Sequence, residues 1–483
     1  MESLEKRQTL VLVGSRIAME RVTKRIGLLD HMGGGNLGDD ATQTAVIQNI
    51  KTRWPHAQIA GFSMNPADTR KRHGIPSYAI QRRTWGFGLI AGDASLGADA
   101  SEPGQGSVSA GAKLRSALRK HPFLLGVLRL VNLVAIRAPR GLVAELVFLF
   151  KSFRILRSFD LLVISGGGQL LDSCGGPWAF PYTIWKWIFL AKMARLRRVF
   201  LNVGAGPLKH PLSIFFVKRA LRFADYISFR DEKSQTLIQQ IGFSGKSEVV
   251  TDNVYRLEIP RYAISGLGRA GNSIVGISPM AYRDPRVYWK KDQKLYDCFI
   301  RKLAVFGSAL IGSGYRIALF TSDINFDRHA IEDLKNALET EIDVAHRSWV
   351  AVERVDTTET LLSKMSLMDY VVTCRFHGVV FAHLLNKPIL ALSHHSKVAT
   401  LMNDIGLSEY CVDMDSFEAD SLLNTFRLLV ANGESIKGRL AAALARYRGE
   451  LASQFDDLFP RATPAVTCRD SQSDEKLEGA GRA

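Results

Sequence analysis

The chain has 483 residues, enough for two or three domains, and its 46% hydrophobic and 23% charged residues are an ordinary globular balance. A net charge of +16 points to anionic partners. With no RNP-like aromatic motif and no zinc-finger spacing, it points away from nucleic acid and toward anionic lipid or phosphorylated and acidic sugars. The five cysteines (Cys174, Cys298, Cys374, Cys411 and Cys468) are scattered and never form C-x-x-C. That argues against a zinc site and for a reducing, cytoplasmic setting. The apolar stretch near Met1 is too short for an export signal. No run reaches the roughly 20 apolar residues that span a bilayer.

In chain order, apolar strand-like runs fall at 25–30, 57–63, 160–165, 198–204, 226–230 and 247–252. After a Gly- and Ser-containing stretch at 260–273, more follow at 273–279, 315–320, 369–374 and 388–393. Helical patterns lie between them at 40–52, 211–224, 292–312, 327–339, 358–367 and 419–431. Continuous apolar strands alternating with helices predict an α/β fold with parallel sheets. The expected layout is two Rossmann-like domains facing a cleft, residues 1–259 and 274–460, with a polar, disordered tail at 461–483.

The first domain carries an insertion at about 90–157. A flexible-looking loop at 92–112 leads into a basic segment, 113–157, with long apolar faces. Two readings stay open. It is a helical hairpin packed on the sheet, or a surface that docks on anionic lipid.

"GLLDHMGGGNLGDDATQTAVIQNI" (27–50) contains Gly33, Gly35 and Gly38 in the G-x-G-x-x-G spelling of a dinucleotide loop. Such a loop needs an acid at the end of the second strand to hold ribose. Ser63, Met64 and Asn65 stand there instead. Asp39 and Asp40 at the helix start would also repel a pyrophosphate. The loop is then either a capped turn or a cleft-lining turn that presents Asn36 and Asp39 to a polar substrate. In the second case Asp39 is a candidate base. Two more glycine loops follow strands: "SGGGQLLD" with Gly166, Gly167 and Gly168, and "NVGAGP" with Gly204 and Gly206. Both would let backbone approach a ligand closely.

Arg230 closes a strand in "YISFRDEKS", placed for capture of phosphate or carboxylate; the plainer reading is a surface pair with Asp231. The densest segment is "DYVVTCRFHGVVFAHLLNKPILALSHHSK" (369–397). One strand end delivers Arg375 and His377 to a helix start, and the next strand end delivers Lys397. That is an anion-attracting geometry with a proton donor in His377, whose ordinary pKa lies near neutrality. His383, inside the helix, reads as a core residue.

"GGNLGDDA", "ISGGGQLLD", "SFRDEKS", "TDNVY" and "CRFHGVVFAHLLNKPILALSHHSK" resemble, in order and spacing, the polysaccharide pyruvyl transferase family over about residues 26–400. The resemblance implies a GT-B-like pair of Rossmann-like domains. It implies transfer of the enolpyruvyl-derived group of phosphoenolpyruvate to a sugar of an exopolysaccharide or cell-surface glycan precursor, forming a pyruvate ketal. It implies no metal and no cofactor beyond phosphoenolpyruvate as donor, which residues matching Arg230, Arg375 and His377 would hold. The residues before Lys397, "SHHS", depart from the aromatic and acid often found there in the family. A lipid-linked acceptor at the inner face of the plasma membrane fits the basic segment. Two alternatives remain: a GT-B glycosyltransferase using a nucleotide sugar, with Glu409 as the nearby ribose-binding candidate, and a non-catalytic scaffold binding lipid-linked glycans.

Overall fold

The computed structural model describes residues 23–30, 34–82, 138–173, 175–259, 271–288, 290–394 and 396–461. Most of the 90–157 insertion, most of the 260–273 connection and the 462–483 tail lie outside the described residues.

The apolar runs form two wholly parallel sheets. The first contains β1 (Arg25–Leu29), β2 (Gln58–Ser63), β3 (Ser77–Ala79), β4 (Leu161–Ser165), β5 (Arg197–Val203), β6 (Tyr226–Phe229) and β7 (Glu248–Val249). Their spatial order is β3-β2-β1-β4-β5-β6-β7. The second contains β8 (Ile274–Ser278), β9 (Arg316–Leu319), β10 (Val350–Val352), β11 (Tyr370–Thr373), β12 (Ile389–Ser393) and β13 (Cys411–Asp413), ordered β10-β9-β8-β11-β12-β13. Each order reverses beside its first strand, at β1/β4 and at β8/β11. A crevice opens at such a point beyond the strands' carboxyl ends, where open α/β sheets bind ligands.

The helices of the first lobe are α1 (Leu37–Arg53), α2 (Pro66–His73), α3 (Ala138–Leu156), α4 (Phe180–Met193), α5 (Pro211–Arg222) and α6 (Glu232–Gln240). Those of the second are α7 (Gln293–Gly312), α8 (Ile324–Glu341), α9 (Thr358–Ser366), α10 (Phe376–Leu384), α11 (Ser396–Asp404), α12 (Ala419–Ala431) and α13 (Gly433–Leu458). Beyond the sequence reading, the structure adds the three-residue strands β3, β10 and β13 and the helices α2, α4, α11 and α13.

One apolar cluster runs through both lobes, from Ile26 and Leu37 to Val379 and Leu440; a second lies on the other face of the first sheet, under α3–α6. Helix α13 ties the lobes together. It starts beside α10, and its far end returns to the first lobe: Arg53 meets Asp456 at 2.9 Å, and Asn202 and Gln454 exchange amide bonds. A cut between 259 and 274 therefore leaves the end of α13 on the first lobe.

His383 is part of this seam and is fully buried. Its Nε2 lies 2.8 Å from the Leu440 carbonyl, which can only accept, so Nε2 carries the hydrogen. Nδ1 then accepts from the Tyr255 hydroxyl at 3.1 Å. Burial pushes the His383 pKa down to about 4. The unfolded chain titrates near 6.5, so it takes up the proton first. The stability that His383 contributes is lost as pH falls from about 6.5 toward 4; buried His377, also lowered to about 4, acts in the same direction, and buried Asp39 and Asp323, raised to about 7 and about 6, act in the opposite one. Urea unfolding at pH 7.5 and pH 5 checks this. His383→Gln should lose about 1–3 kcal/mol at pH 7.5 and less at pH 5, because the amide takes up no proton on unfolding; an equal loss at both pH values contradicts this.

Candidate active site

The singled-out residues sit at carboxyl ends of strands in both sheets. Asn36 and Asp39 follow β1, Gly168 follows β4 and Arg230 follows β6. Arg375 and His377 follow β11, and Lys397 follows β12. All seven line one interlobe cavity of about 220 Å³, with Ser322, Asp323 and Phe376 completing the wall. Gly167 stands one residue behind it: a Cβ built there would lie 3.8 Å from an Asp39 oxygen. A larger open groove of about 490 Å³ between α7 and α8 holds none of these groups, and its Arg286 is already paired with Asp284 and Asp333. Size alone does not locate the chemistry.

The glycine loop of 34–38 is a docking seam. Leu37 N–H donates to Ser322 O at 2.9 Å, and Ile324 N–H donates to Gly35 O at 3.1 Å. The Asn325 amide donates to Gly34 O at 3.0 Å. Gly35 has φ +76°, in the left-handed region, and Asn325 fills the space where a Cβ would stand. Asn36 caps α1 by accepting from Gly38 N–H at 2.9 Å, so its carbonyl oxygen is already engaged although the residue lines the cavity. Gly38 lies flat against the His377 ring of the other lobe, and a Cβ there would overlap Nδ1. The dinucleotide spelling thus serves contact between lobes.

Arg230 is buried, with its guanidinium over Gly204, where a Cβ would come within 2.9 Å of Nη2. Its Nη1 is 3.3 Å from Asp252, its Nε is 3.5 Å from Asp231, and Phe376 of the second lobe stacks on it at 4.6 Å. It is therefore both acid-paired and cavity-lining. Arg375 is held by a bidentate pair to fully buried Asp327, with Nε–Oδ2 2.7 Å and Nη2–Oδ1 2.6 Å. Asp327 also accepts from Ala281 N–H and Thr321 Oγ1, and Asp323 adds a 3.5 Å contact to Arg375 Nη1. Arg375 occupies the N-cap of α10, and no side chain caps that helix. Its first-turn N–H groups add to the pull on an anion. Lys397 reaches across the seam, its Nζ 3.3 Å from a Cβ built on Gly168.

Two expectations change. The site is not simply cationic: Asp252, Asp323 and Asp327 are interleaved with the arginines, a set that sequence reading missed. Asp252 lies within the quoted "TDNVY", and Asp323 and Asp327 are spaced one helical turn apart just after β9. That i, i+4 acid pair at a strand's carboxyl end was the available signal. His377 is also not near neutrality. Burial takes it down to about 4, with Arg230, Lys397 and Arg375 adding to the effect and Asp252 opposing it. Asp39 moves the other way, to about 7, chiefly by burial and then by Asp40 and Asp323, with Arg230 opposing. Asp323 rises to about 6, again chiefly by burial, with Arg375 opposing. Glu409 is outside the cavity and pairs with Arg439 at 2.8 Å.

Gly38 gives a test whose sign separates two effects. Helix propensity alone makes Gly→Ala inside α1 stabilising by about 0.5–1 kcal/mol. The overlap with His377 reverses this, and overpacking of this kind costs about 1–3 kcal/mol. Gly38→Ala should lower the melting temperature and depress turnover, as read by calorimetry and initial rates.

The polysaccharide pyruvyl transferase family model matches residues 36–396 of the chain. Among solved structures, the fold is similar to S. aureus MnaA in its UDP co-structure (8% identity, 89% of this chain and 94% of that one, TM-score 0.51). It is similar to the UDP-GlcNAc 2-epimerase of Neisseria meningitidis bound to UDP-GlcNAc (9%, 89% and 100%, TM-score 0.50). Anabaena Alr3699/HepE, in complex with UDP and glucose, matches over 90% and 100% at 15% identity and TM-score 0.49. No curated protein matches the chain. The two likenesses at TM-score 0.50 and above agree with the paired Rossmann-like, GT-B-like fold seen in the sheets, and the family match covers most of the chain: it belongs to the polysaccharide pyruvyl transferase family and is a transferase acting on glycans.

Proposed function

We propose that the protein moves the enolpyruvyl-derived group of phosphoenolpyruvate onto two hydroxyls of a sugar in a cell-surface glycan precursor, leaving a cyclic pyruvate ketal. The observation that carries this reading is the convergence of Arg230 from one lobe with Arg375 and His377 from the other on one small cavity. Phosphoenolpyruvate bears a phosphate and a carboxylate on three carbons. Two guanidiniums and the Lys397 ammonium suit that double anion. The cavity of about 220 Å³ is below the roughly 300–1,000 Å³ of sites for drug-sized ligands, which favours a small donor over a nucleotide sugar.

The reaction adds a proton to the methylene carbon, forms a bond from a sugar oxygen to the adjacent carbon, and breaks the carbon–oxygen bond to phosphate. A second hydroxyl then closes the ring, and its proton leaves with phosphate. Asp39, raised to about 7, keeps a proton in a large fraction of molecules at neutral pH and is assigned the donor to the methylene. Neutral His377 is assigned the acceptor of the hydroxyl proton, the reverse of the roles the sequence suggests. Arg230 and Arg375, fixed by Asp252 and Asp327, neutralise the departing phosphate without reorganising.

Phosphate release from phosphoenolpyruvate in the presence of a glycan acceptor tests this. Arg230→Lys and Arg375→Lys keep the charge next to Asp252 and Asp327 but lose bidentate reach. Each should lower kcat/KM by roughly 100-fold, about 2.7 kcal/mol, and His377→Gln should abolish turnover. The wild-type rate should fall as pH rises above about 7, as the Asp39 proton is lost, and Asp39→Asn should remove activity. Full activity in the lysine variants, or consumption of a UDP-sugar in place of phosphoenolpyruvate, contradicts the proposal.

A further inference from the structure

The sequence places its lipid-facing candidate on 113–157, of which the structure describes 138–157. A separate surface, outside that segment, stands on α4 and α5. Of the fifteen large apolar side chains exposed among the described residues, Trp178, Phe189, Met193 and Phe215 lie on or beside α4 and α5, and five more, between 142 and 150, lie on the neighbouring α3 inside that segment. These helices cover the face of the first sheet turned away from the shared core. Their inner sides are satisfied by Ile184, Trp187 and Val217. Their outer sides are apolar as well.

The outer side of α4 carries a stripe at helical spacing: Trp178 just before the helix, then Tyr182, Trp185, Phe189 and Met193. Trp178 is 60% exposed, Phe189 40% and Met193 59%. Phe215 of α5 is 47% exposed and continues the band through Phe216, which contacts Trp178 at 5.7 Å and Trp185 at 5.3 Å. Cations are laid among the rings. Lys192 Nζ is 3.8 Å from the Phe223 centroid, and the Arg219 guanidinium is 5.5 Å from Phe215. Between Asp172 and Asp225 the chain has nine Lys and Arg and no acid; Lys186 is buried against Glu145 and Arg198 is paired with Asp225, while Lys192, Arg195, Arg219 and Arg222 are exposed. Among the described residues, three acids next to these helices are engaged. Asp172 accepts from the N–H groups of Lys209 and His210, Asp225 pairs with Arg198, and Glu145 of α3 pairs with Lys186.

We infer that this α4–α5 face, led by Trp178, Phe189, Phe215, Lys192 and Arg219, is a docking surface for an anionic lipid leaflet. Charge complementarity selects that occupant. A protein partner or a second copy of the chain would have to bring a carboxylate-rich surface, and this chain is strongly basic. Indole and phenyl rings sit at headgroup depth, and neighbouring Lys and Arg meet lipid phosphates while their stems lie along the apolar boundary. Large exposed apolar patches of this kind mark interaction sites. Helix α4, from Phe180, is the first helix after β4 and the Gly166–Gly168 loop, so its first turn stands on the side where the strands' carboxyl ends face the cleft. Among the described residues no helix is long and apolar enough to cross a membrane.

Sedimentation of the full-length protein with vesicles tests the inference, using phosphatidylglycerol–phosphatidylcholine mixtures against phosphatidylcholine alone. The variants are Trp178→Ser/Phe215→Ser and Lys192→Glu/Arg219→Glu, exposed positions outside the candidate active site. Wild type should partition onto the anionic vesicles, more weakly at high salt, and hardly onto phosphatidylcholine. Each double variant should lose roughly tenfold or more in partition coefficient while keeping its melting temperature and its rate on a soluble acceptor. Unchanged binding by the variants would place the contact elsewhere, the basic segment 113–137 included. Equal binding to neutral vesicles, or none to either, would overturn the proposal. So would concentration-dependent dimers dissolved by Trp178→Ser/Phe215→Ser, or a lowered melting temperature that reveals cover by the chain itself.

Discussion

The structure depends on a seam in which backbone from one lobe meets backbone and an imidazole from the other. The residues around Gly35 and Gly38 bond to the loop after β9 and lie flat against His377. Two parallel sheets joined by a connection would otherwise be free to rock, and loop or domain closure is a common property of two-lobed enzymes. Here the shared apolar cluster, the return of α13 and the glycine contact hold strand ends from both sheets around one cavity. A side chain at Gly38 would overlap the His377 ring and push apart the strand ends that line this cavity.

Charge balance is the second constraint. Three cations in a cavity of this size would repel one another without compensation. Asp252 and Asp327 hold the two arginines in fixed poses, so the desolvation of each guanidinium is offset before any substrate arrives. Asp39 and Asp323, raised to about 7 and about 6, stay partly protonated near neutral pH. The same burial that makes those carboxyls hold protons makes His377 release one. A single environment therefore sets the two groups apart in proton affinity, the condition that the proposed acid and base roles require.

Much of this was legible in the sequence, for identifiable reasons. Strands such as "LLVIS" and "ILALS" are buried on both faces, so they read as unbroken apolar runs. The strand-end rule then located Arg230, Arg375, His377 and Lys397 without coordinates, and the missing acid after β2 turned the glycine loop away from dinucleotides. The three-residue strands β3, β10 and β13 were not legible, because they are held by their neighbours more than by their own pattern. The acids that balance Arg375 lie about 50 residues before it, and only the β8–β9–β11 arrangement brings them together. Nor does sequence show that burial moves His377 and Asp39 in opposite directions, since burial is a property of the closed seam.

The most direct measurement of the central claim is a crystal structure of the protein soaked with phosphoenolpyruvate. The account predicts its phosphate and carboxylate lodged between Arg230 and Arg375, with Lys397 at the rim and the methylene facing Asp39. Density for the donor on one lobe alone, or outside the cavity shared by Arg230, Arg375 and His377, would contradict it.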